Sequence, residues 1–328
     1  MKDGLQLNKR RIKLLGNQSA VYHCISRTIA GEQLFGDMEK EVLRSRIHKL
    51  AQFCGVEVLT YCILSNHFHL LVRVPPRDQT DGLSQAELLR RVEGYYEKSE
   101  AASLRERLEG PEGEEARECL LKRMGDVSEY LKELKQGFSR WYNRTHERFG
   151  TLWSERFKSV LVEGCGVAIR TVSAYIDLNP VRAGLCEDPK EYRWCGYAEA
   201  CAGSSVSRRG LCRVWELKEA RWREVLSAYR MYLFGRGSEV VAGKQAGIPI
   251  ELAKKVRERG GQLNNAAYLR CRVDYFTAGA ILGSKLYVES MWRQCVGRPR
   301  KSGANRLKGA PMEHLYSLRN LRNPLHTT

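Results

Sequence analysis

The segment Glu57–Val74, EVLTYCILSNHFHLLVRV, is the stretch from which the fold can be predicted. Two apolar runs, Glu57–Leu64 and His67–Val74, have the length and the composition of β-strands. Ser65 and Asn66 lie between them and suit a tight turn, and two prolines close the second run. The segment therefore predicts a pair of adjacent strands joined as a hairpin.

The residues before this hairpin predict a further strand and a helix. Gln18–Ser26, QSAVYHCIS, has the composition of a strand. Asp37–Phe53 carries apolar residues at helical spacing, and Asp37 is suited to cap the helix. A strand, a helix and a hairpin in this order begin an α+β sandwich, in which we expect the helices on one face of the sheet.

The chain after the hairpin predicts a long helical region and then a return to the sheet. Residues 83–149 are predicted to be largely helical, with a break at the GPEG of Gly110–Gly113. A strand is expected at Phe157–Val162, and a helix at Val167–Leu178. Pro180 limits this helix, because the residue before a proline is disfavoured in the α region.

A change of composition near residue 200 predicts two domains. Gly203–Gly210, GSSVSRRG, resembles a linker, and the chain beyond it is mainly helical and basic. We therefore assign residues 1–200 to one domain with a helical insertion at about 83–149. Residues 201–328 are predicted to form a basic, mainly helical C-terminal region that binds DNA.

The charge of the chain favours a polyanionic partner. Its net charge is +17, from 55 Lys and Arg against 38 Asp and Glu. The cations are spread over many segments, which favours nucleic acid over a membrane surface, although a solvated basic surface is an alternative. Without a long apolar run or a secretory signal we expect no membrane association and a bacterial cytoplasmic, nucleoid-associated location. The eleven cysteines form no CxxC pair, so a zinc ribbon is not expected.

Two histidines on the second hairpin strand are candidate metal ligands. Because side chains alternate along a strand, His67 and His69 lie on one face and Phe68 on the other. Two imidazoles on one face can ligate a divalent cation. An HxH pattern alone is also compatible with two ordinary histidines at a sheet surface.

A second candidate group lies on the later helix. Tyr175 and Asn179 are four residues apart, so a regular helix turns both to the same side. A phenol can act as a covalent nucleophile, and an amide oxygen is a suitable ligand for Mg²⁺ or Mn²⁺. A tyrosine near a helix end can equally be a packing residue.

Taken together, these residues resemble a known family. Asn66–Val72, NHFHLLV, is similar to the metal motif of the HUH single-strand nucleases. Three further motifs follow in the order found in REP-associated tyrosine transposases and their insertion-sequence relatives. They are FSRWYNRTHERFGTLWSERFKSVLVE (Phe138–Glu163), AYIDLNPVRAGL (Ala174–Leu185) and DPKEYRWCGY (Asp188–Tyr197). The resemblance extends from about Ser19 to Tyr197.

The resemblance implies both a fold and a reaction, and it implies that residues 1–200 are the catalytic domain. It implies a ferredoxin-like core with an antiparallel sheet of four or five strands. It also implies that His67, His69 and Asn179 ligate Mg²⁺ or Mn²⁺ and that Tyr175 attacks DNA. The products would be a 5′-phosphotyrosine and a free 3′-hydroxyl. The implied substrate is single-stranded DNA with hairpins, such as REP-like palindromes, acted on by a monomer or a homodimer.

Several cations are candidate DNA contacts. Arg156, Lys158 and Arg182 follow or lie within the family motifs, and we interpret them as phosphate contacts. A solvated surface is the alternative for each of them. Arg298, Arg300 and Lys301 lie in GRPRK, which is similar to a minor-groove hook but also to a flexible basic loop.

Other functions are compatible with parts of this pattern. A hairpin DNA- or RNA-binding protein derived from a transposase would bind without cutting. A metallonuclease that uses water would cut without a covalent intermediate, and a basic scaffold would not depend on metal. Tyr142 is an alternative nucleophile, although packing is the favoured interpretation for it and for Trp141.

Overall fold

The structure, a computed structural model, describes residues 18–234, 272–273, 276–277, 280–296, 304–307, 314–318 and 325–326. Its first elements agree with the predicted strand, helix and hairpin. They are β1 (Ala20–Arg27), α1 (Asp37–Cys54), β2 (Glu57–Ile63) and β3 (His67–Val74). The predicted cap is wrong in detail, because Gly36 occupies the N-cap position of α1 and Asp37 is its first residue.

The predicted helical insertion between β3 and the next strand is observed as five helices. They are α2 (Arg77–Asp81), α3 (Gln85–Tyr95), α4 (Lys98–Glu109), α5 (Gly113–Leu121) and α6 (Val127–Thr145). The GPEG break separates α4 from α5. Helix α6 begins where the Asp126 carboxylate accepts hydrogen bonds from the Ser128 and Glu129 amides, and its apolar stripe packs on α1.

The chain then returns to the sheet as β4 (Lys158–Val162) and continues in short helices. These are α7 (Gly166–Asp177), α8 (Asn179–Arg182), α9 (Gly196–Cys201), α10 (Ser205–Val214) and α11 (Trp222–Phe234). The later described elements are β5 (Arg272–Val273), β6 (Ile281–Gly283), α12 (Lys285–Val296), β7 (Asn305–Arg306), β8 (Tyr316–Ser317) and β9 (Leu325–His326). None of the helices within the described ranges is both long and apolar enough to span a membrane.

The four long strands have the order and directions of a ferredoxin-like sheet. They lie side by side as β2-β3-β1-β4, and each neighbouring pair is antiparallel. This is the order expected when two β-α-β units interleave. Beyond β4 the sheet is extended by β6, β8 and β7, which come from the C-terminal part of the chain, and β6 pairs with β4 in parallel. The fold is therefore of the predicted α+β class, but its sheet has seven described strands and one parallel pair instead of four or five antiparallel strands, because the C-terminal part of the chain adds strands at the β4 edge.

Helices cover both faces of this sheet, and the prediction of helices on one face is wrong. On one face, side chains such as Tyr22, Phe68 and Leu70 pack in one core with α1 and α6. On the other face, alternate residues such as Val21 and Leu71 pack with α7, α9, α10 and α11. The strands are buried on both sides because their non-alternating apolar sequences offer an apolar surface to each layer.

The segment interpreted as a linker forms part of the second helical layer. Helix α10 begins after Ser204, whose hydroxyl accepts a hydrogen bond from the Ser207 amide, and it packs closely on β2. Gly210 lies against the β2 backbone: a Cβ atom there would be 2.5 Å from the Val58 carbonyl oxygen and 2.6 Å from that of Leu59. The serine and glycine that suggested a linker are a helix cap and a close-packing position.

Replacing Gly210 by Ala should therefore destabilise the protein. The added methyl group must push α10 away from two backbone carbonyls, and we expect the free energy of unfolding to fall by about 1–3 kcal/mol. Urea titration followed by circular dichroism measures this change. Gly94→Ala is the matched control, because a Cβ on this exposed helical glycine of α3 has no atom within 4 Å. Equal effects of the two substitutions would contradict the close packing of α10.

Candidate active site

Strands β1 and β3 and helix α7 bring the candidate chemical groups together. Side chains alternate along β3, so His67 and His69 lie on the face covered by α7, while Phe68 is fully buried on the other. Tyr175 lies on α7 with its ring centroid 6.0 Å from that of His69. The histidines and the tyrosine are more than 100 residues apart in sequence, and the packing of α7 on β2 and β3 places them beside each other.

These groups line a cavity of about 470 Å³ at one end of the sheet. All of the predicted site residues that lie within the described ranges line this cavity. Its lining residues are Ile25, Ser26, Arg27, Leu64, His67, His69, Glu155, Arg156, Lys158, Tyr175, Asn179, Arg182, Ala183 and Thr277. Arg298, Arg300 and Lys301 lie outside the described residues.

Tyr175 lines this cavity, and its side chain is closely packed. Only 2% of its surface is exposed, and its ring contacts the ring of Phe276 at a centroid distance of 4.9 Å. The guanidinium of Arg182 lies 3.9 Å above the ring centroid. A cation over the face of an aromatic ring is attracted by the ring quadrupole, so this contact holds the guanidinium and the ring together.

Asn179 is positioned by the junction between α7 and α8. Its amide nitrogen donates hydrogen bonds to the carbonyl oxygens of Tyr175 and Ile176, at 3.2 Å and 3.0 Å. Pro180 follows in the first turn of α8, where its missing N–H is tolerated. Because the amide nitrogen faces the helix carbonyls, the amide oxygen faces away from them. Asn179 thus lines the same cavity as Tyr175, as its four-residue spacing predicted.

The ring of His67 has a defined orientation. The amide nitrogen of Asn66 donates to the Gly31 carbonyl oxygen at 3.0 Å, so the amide oxygen of Asn66 faces His67. Nδ1 of His67 lies 2.6 Å from that oxygen. An amide oxygen only accepts hydrogen bonds, so Nδ1 carries a proton, and in the neutral ring the lone pair is on Nε2.

The ring of His69 is buried and makes a hydrogen bond with another histidine. Nδ1 of His69 lies 3.0 Å from Nε2 of His23, a residue of β1. Nδ1 of His23 in turn lies 2.7 Å from the carbonyl oxygen of Phe276. Burial, followed by the nearby His67 and His23, holds the pKa of His69 well below 6.5, so the ring is neutral at pH 7.

The arrangement fits a divalent cation. The ring centroids of His67 and His69 are 5.1 Å apart, a separation that allows two imidazole nitrogens to share one ion. Neutral imidazoles that donate their other N–H to a neighbour are the usual form of histidine ligands. No cluster of three or more His, Cys, Asp or Glu side chains suited to a metal occurs in the described ranges. Asn179 lines the same cavity and carries an amide oxygen, a type of ligand that Mg²⁺ and Mn²⁺ accept.

The remaining charges of the cavity suit a phosphate. Four cations, Arg27, Arg156, Lys158 and Arg182, line it together with one carboxylate, Glu155. Glu155 lies 2.9 Å from Nζ of Lys158. Arg156 lies just before β4 and Lys158 is the first residue of that strand, and both side chains line the cavity. The excess of positive charge attracts phosphodiester groups.

Tyr142, the alternative nucleophile suggested by the sequence, lies outside this site, as do His146 and Tyr61. Tyr142 packs in the opposite core, with its ring 4.2 Å from that of His146. His146 contacts the carboxylate of Glu39, and Tyr61 donates to the carboxylate of Glu199. In contrast, His23, which lies on a predicted strand and is interpreted from the sequence as a structural or site-flanking residue, contacts His69 in the site. Its alternation with Val21 and Ile25 on β1 is the signal that places it on the same face as His69.

Asp177, on α7 close to Tyr175 in sequence, provides a test of this packing. It is buried and accepts hydrogen bonds from the Tyr229 and Thr60 hydroxyls and the Tyr197 amide. Burial outweighs these bonds and raises the pKa of Asp177 from 3.8 to about 7. The fold thus favours the neutral acid, and the stabilisation is complete below about pH 4 and is lost as the pH rises to about 7.

Replacing Asp177 by Asn should remove this pH dependence. Relative to the variant, the wild-type protein should lose up to about 4 kcal/mol of unfolding free energy between pH 4 and pH 7. Urea unfolding of both proteins at a series of pH values measures the difference. Parallel stability curves for the two proteins would show that Asp177 stays ionised in the fold.

Part of the chain is similar to a known protein family. A family model described as "Transposase IS200 like" matches residues 17–100. The chain is similar to the IS200-like transposases over this segment. The match includes β1, α1, β2 and β3, and with them His23, His67 and His69. It confirms, over these residues, the resemblance that the sequence motifs indicated.

A solved structure described as a REP-associated tyrosine transposase bound to a REP hairpin also matches the chain. The two chains share 16% identity, and the match covers 60% of this chain and 88% of that chain, with a TM-score of 0.38. The search of curated proteins found no match.

Proposed function

We propose that this protein is a transposase that cleaves and rejoins single-stranded DNA near hairpins through a 5′-phosphotyrosine intermediate. The observation that carries the proposal is the shared cavity of Tyr175, His67 and His69, with Arg182 over the tyrosine ring. The similarity of residues 17–100 to IS200-like transposases supports the same activity. A location in the bacterial cytoplasm, close to the nucleoid, follows as part of this proposal.

In the proposed reaction, the phenol oxygen of Tyr175 attacks the phosphorus of a phosphodiester. The new bond joins this oxygen to phosphorus, and the bond from phosphorus to the 3′ oxygen of the preceding nucleotide breaks. The phenol loses its proton and the departing 3′ oxygen gains one, which gives a 3′-hydroxyl. The reverse attack by a 3′-hydroxyl rejoins DNA without ATP, because the tyrosine has conserved the phosphodiester energy.

The cavity supplies two kinds of help for this step. Arg182, whose guanidinium lies 3.9 Å from the ring centroid of Tyr175, would supply positive charge beside the reacting groups. His67, His69 and Asn179 are the residues that would hold Mg²⁺ or Mn²⁺. A divalent cation bound there supplies positive charge that polarises and orients the phosphate. Arg156 and Lys158, at the cavity wall, would contact the DNA backbone.

Arg298, Arg300 and Lys301 remain candidates for a further DNA contact. They belong to Met291–Arg322, which carries eight Lys or Arg and one Glu. Such a segment would bind phosphates in a salt-dependent manner. We propose it as an auxiliary DNA-binding region of a monomer or homodimer.

Cleavage of a labelled hairpin tests the proposed function. The substrate is single-stranded DNA that includes the sequences flanking the protein's own gene, with Mg²⁺ or Mn²⁺. We expect a cleaved strand with a free 3′-hydroxyl and a second product that stays attached to protein on a denaturing gel. A cleaved strand with two free ends would instead indicate water as the nucleophile. Binding of hairpin DNA or RNA with no cleavage of any hairpin would favour a binding protein derived from a transposase.

A further inference from the structure

A chain of two hydrogen bonds connects His69 to the C-terminal part of the molecule. It runs from Nδ1 of His69 to Nε2 of His23, and from Nδ1 of His23 to the carbonyl oxygen of Phe276. The imidazole rings are stacked, with centroids 5.2 Å apart and an angle of 26° between planes. Both histidines are buried, at 0% and 4% exposure.

The direction of these hydrogen bonds follows from the carbonyl at the end of the chain. A carbonyl oxygen only accepts, so Nδ1 of His23 must be protonated. Among the described residues no carboxylate contacts either ring, and His23 is fully buried, where an unpaired charge is costly, so its ring is neutral. A neutral His23 has no second proton, so its Nε2 accepts from Nδ1–H of His69. The remaining ring nitrogen of His69, Nε2, then keeps its lone pair.

We propose that His23, oriented by the carbonyl oxygen of Phe276, is a positioning residue that holds His69 in the Nδ1–H tautomer. Only this tautomer leaves Nε2 of His69 able to ligate a cation. The inference rests on the proposed function, since it assigns a role to a residue behind a proposed metal ligand. It also means that a carbonyl from beyond residue 200 completes the site.

The sheet explains why His23 is able to do this. His69 pairs with Ile25 across β3 and β1, and His23 lies two residues further along β1 on the same face. This diagonal separation is within reach of long side chains on neighbouring strands. Phe276 also packs its ring against Tyr175, so one residue contacts the nucleophile and orients the chain behind the ligand.

Two substitutions separate this role from simple packing. His23→Leu keeps an apolar side chain but offers no acceptor, which leaves Nδ1–H of His69 buried without a partner. His69 should then move its proton to Nε2, on the side of the cavity. His23→Gln is the matched variant, because one amide group can donate to the Phe276 carbonyl and accept from His69.

The tautomer can be read directly by long-range ¹H–¹⁵N NMR of metal-free protein at pH 7. We expect an Nδ1–H signature for His69 in wild type and His23→Gln, and a shift towards Nε2–H in His23→Leu. In calorimetric titrations with Mn²⁺, His23→Leu should bind about 10–100-fold more weakly than wild type, and His23→Gln within about threefold of it. Thermal unfolding shows whether each variant is folded.

The inference is overturned if wild-type His69 carries its proton on Nε2. It is also overturned if folded His23→Leu keeps both the wild-type tautomer and the wild-type affinity for Mn²⁺, because His23 would then only fill space. If His23→Leu does not fold, the inference is tested by the NMR spectrum of the wild-type protein and by the Mn²⁺ titration of His23→Gln. Neither readout involves DNA, so failure of the proposed transposase activity would be seen separately, in the cleavage assay.

Discussion

Replacing Tyr175 by Phe should abolish DNA cleavage and leave DNA binding almost unchanged. The substitution removes one oxygen atom from a side chain that is 2% exposed, so the packing against Phe276 and the cation over the ring are retained. Without the oxygen no phosphotyrosine can form, and we expect cleavage to fall by at least about 10³-fold. The rate of hairpin cleavage and the affinity in a gel-shift assay measure the two effects.

Tyr142→Phe is the matched control for this prediction. It removes the same atom from the tyrosine that is the other sequence candidate, which lies in the core on the opposite side of the sheet. We expect it to cleave at close to the wild-type rate. A Tyr175→Phe variant that still cleaves efficiently would mean that another group, or water, is the nucleophile.

Replacing His67 by Ala should have the second largest effect. If His67 ligates the cation, its loss removes one of three protein ligands, and the affinity for Mn²⁺ should fall by about 100-fold or more. Cleavage at limiting metal should fall by on the order of 10²-fold, while Tyr175 is still present. Calorimetric titration with Mn²⁺ and the metal dependence of cleavage measure these changes. His69→Ala should behave similarly, although this buried position also requires a check of stability.

An exposed histidine provides the control for the metal experiment. His314 is exposed and is not among the residues that line the cavity. His314→Ala should therefore bind Mn²⁺ as the wild type does. Equal affinity for Mn²⁺ in His67→Ala and wild type would contradict the assignment of His67 as a ligand, whatever the effect on cleavage.

The sequence predicted the parts of the fold that depend on local patterns. The bounds of β3 were predicted to the residue, and those of α1 and α7 to within one residue at each end, because apolar periodicity, Gly55 and Pro180 mark them. The alternation along β3 also predicted that His67 and His69 share a face. These features depend on residues close together in the chain, so no tertiary information was required.

Long-range features could not be predicted in the same way. The contact of His23 with His69 depends on the register of β1 against β3, and that register is set by packing of whole strands. The carbonyl of Phe276 is 253 residues from His23 in sequence. Similarly, the composition of Gly203–Gly210 indicated a linker, whereas close packing against β2 is what requires Gly210.

The division of the chain at residue 200 stays a prediction. Strand β6 pairs with β4, and Phe276 contacts both His23 and Tyr175, so the C-terminal part of the chain contributes to the sheet and the site. Basic composition suggested a separate DNA-binding region. It could not predict these contacts, because they involve apolar residues and a backbone carbonyl. The C-terminal part of the chain can therefore contribute both to core packing and to the predicted DNA binding.

Mass spectrometry of the covalent DNA adduct tests the central proposal most directly. Trypsin cleaves after Arg170 and Arg182, and the peptide between them, TVSAYIDLNPVR, contains Tyr175 as its single tyrosine. After reaction with a hairpin substrate and nuclease digestion, we predict a nucleotide attached to this peptide through a phosphate. A nucleotide on the peptide that contains Tyr142, or complete cleavage of the DNA with no modified peptide, would contradict the assignment of Tyr175 as the nucleophile.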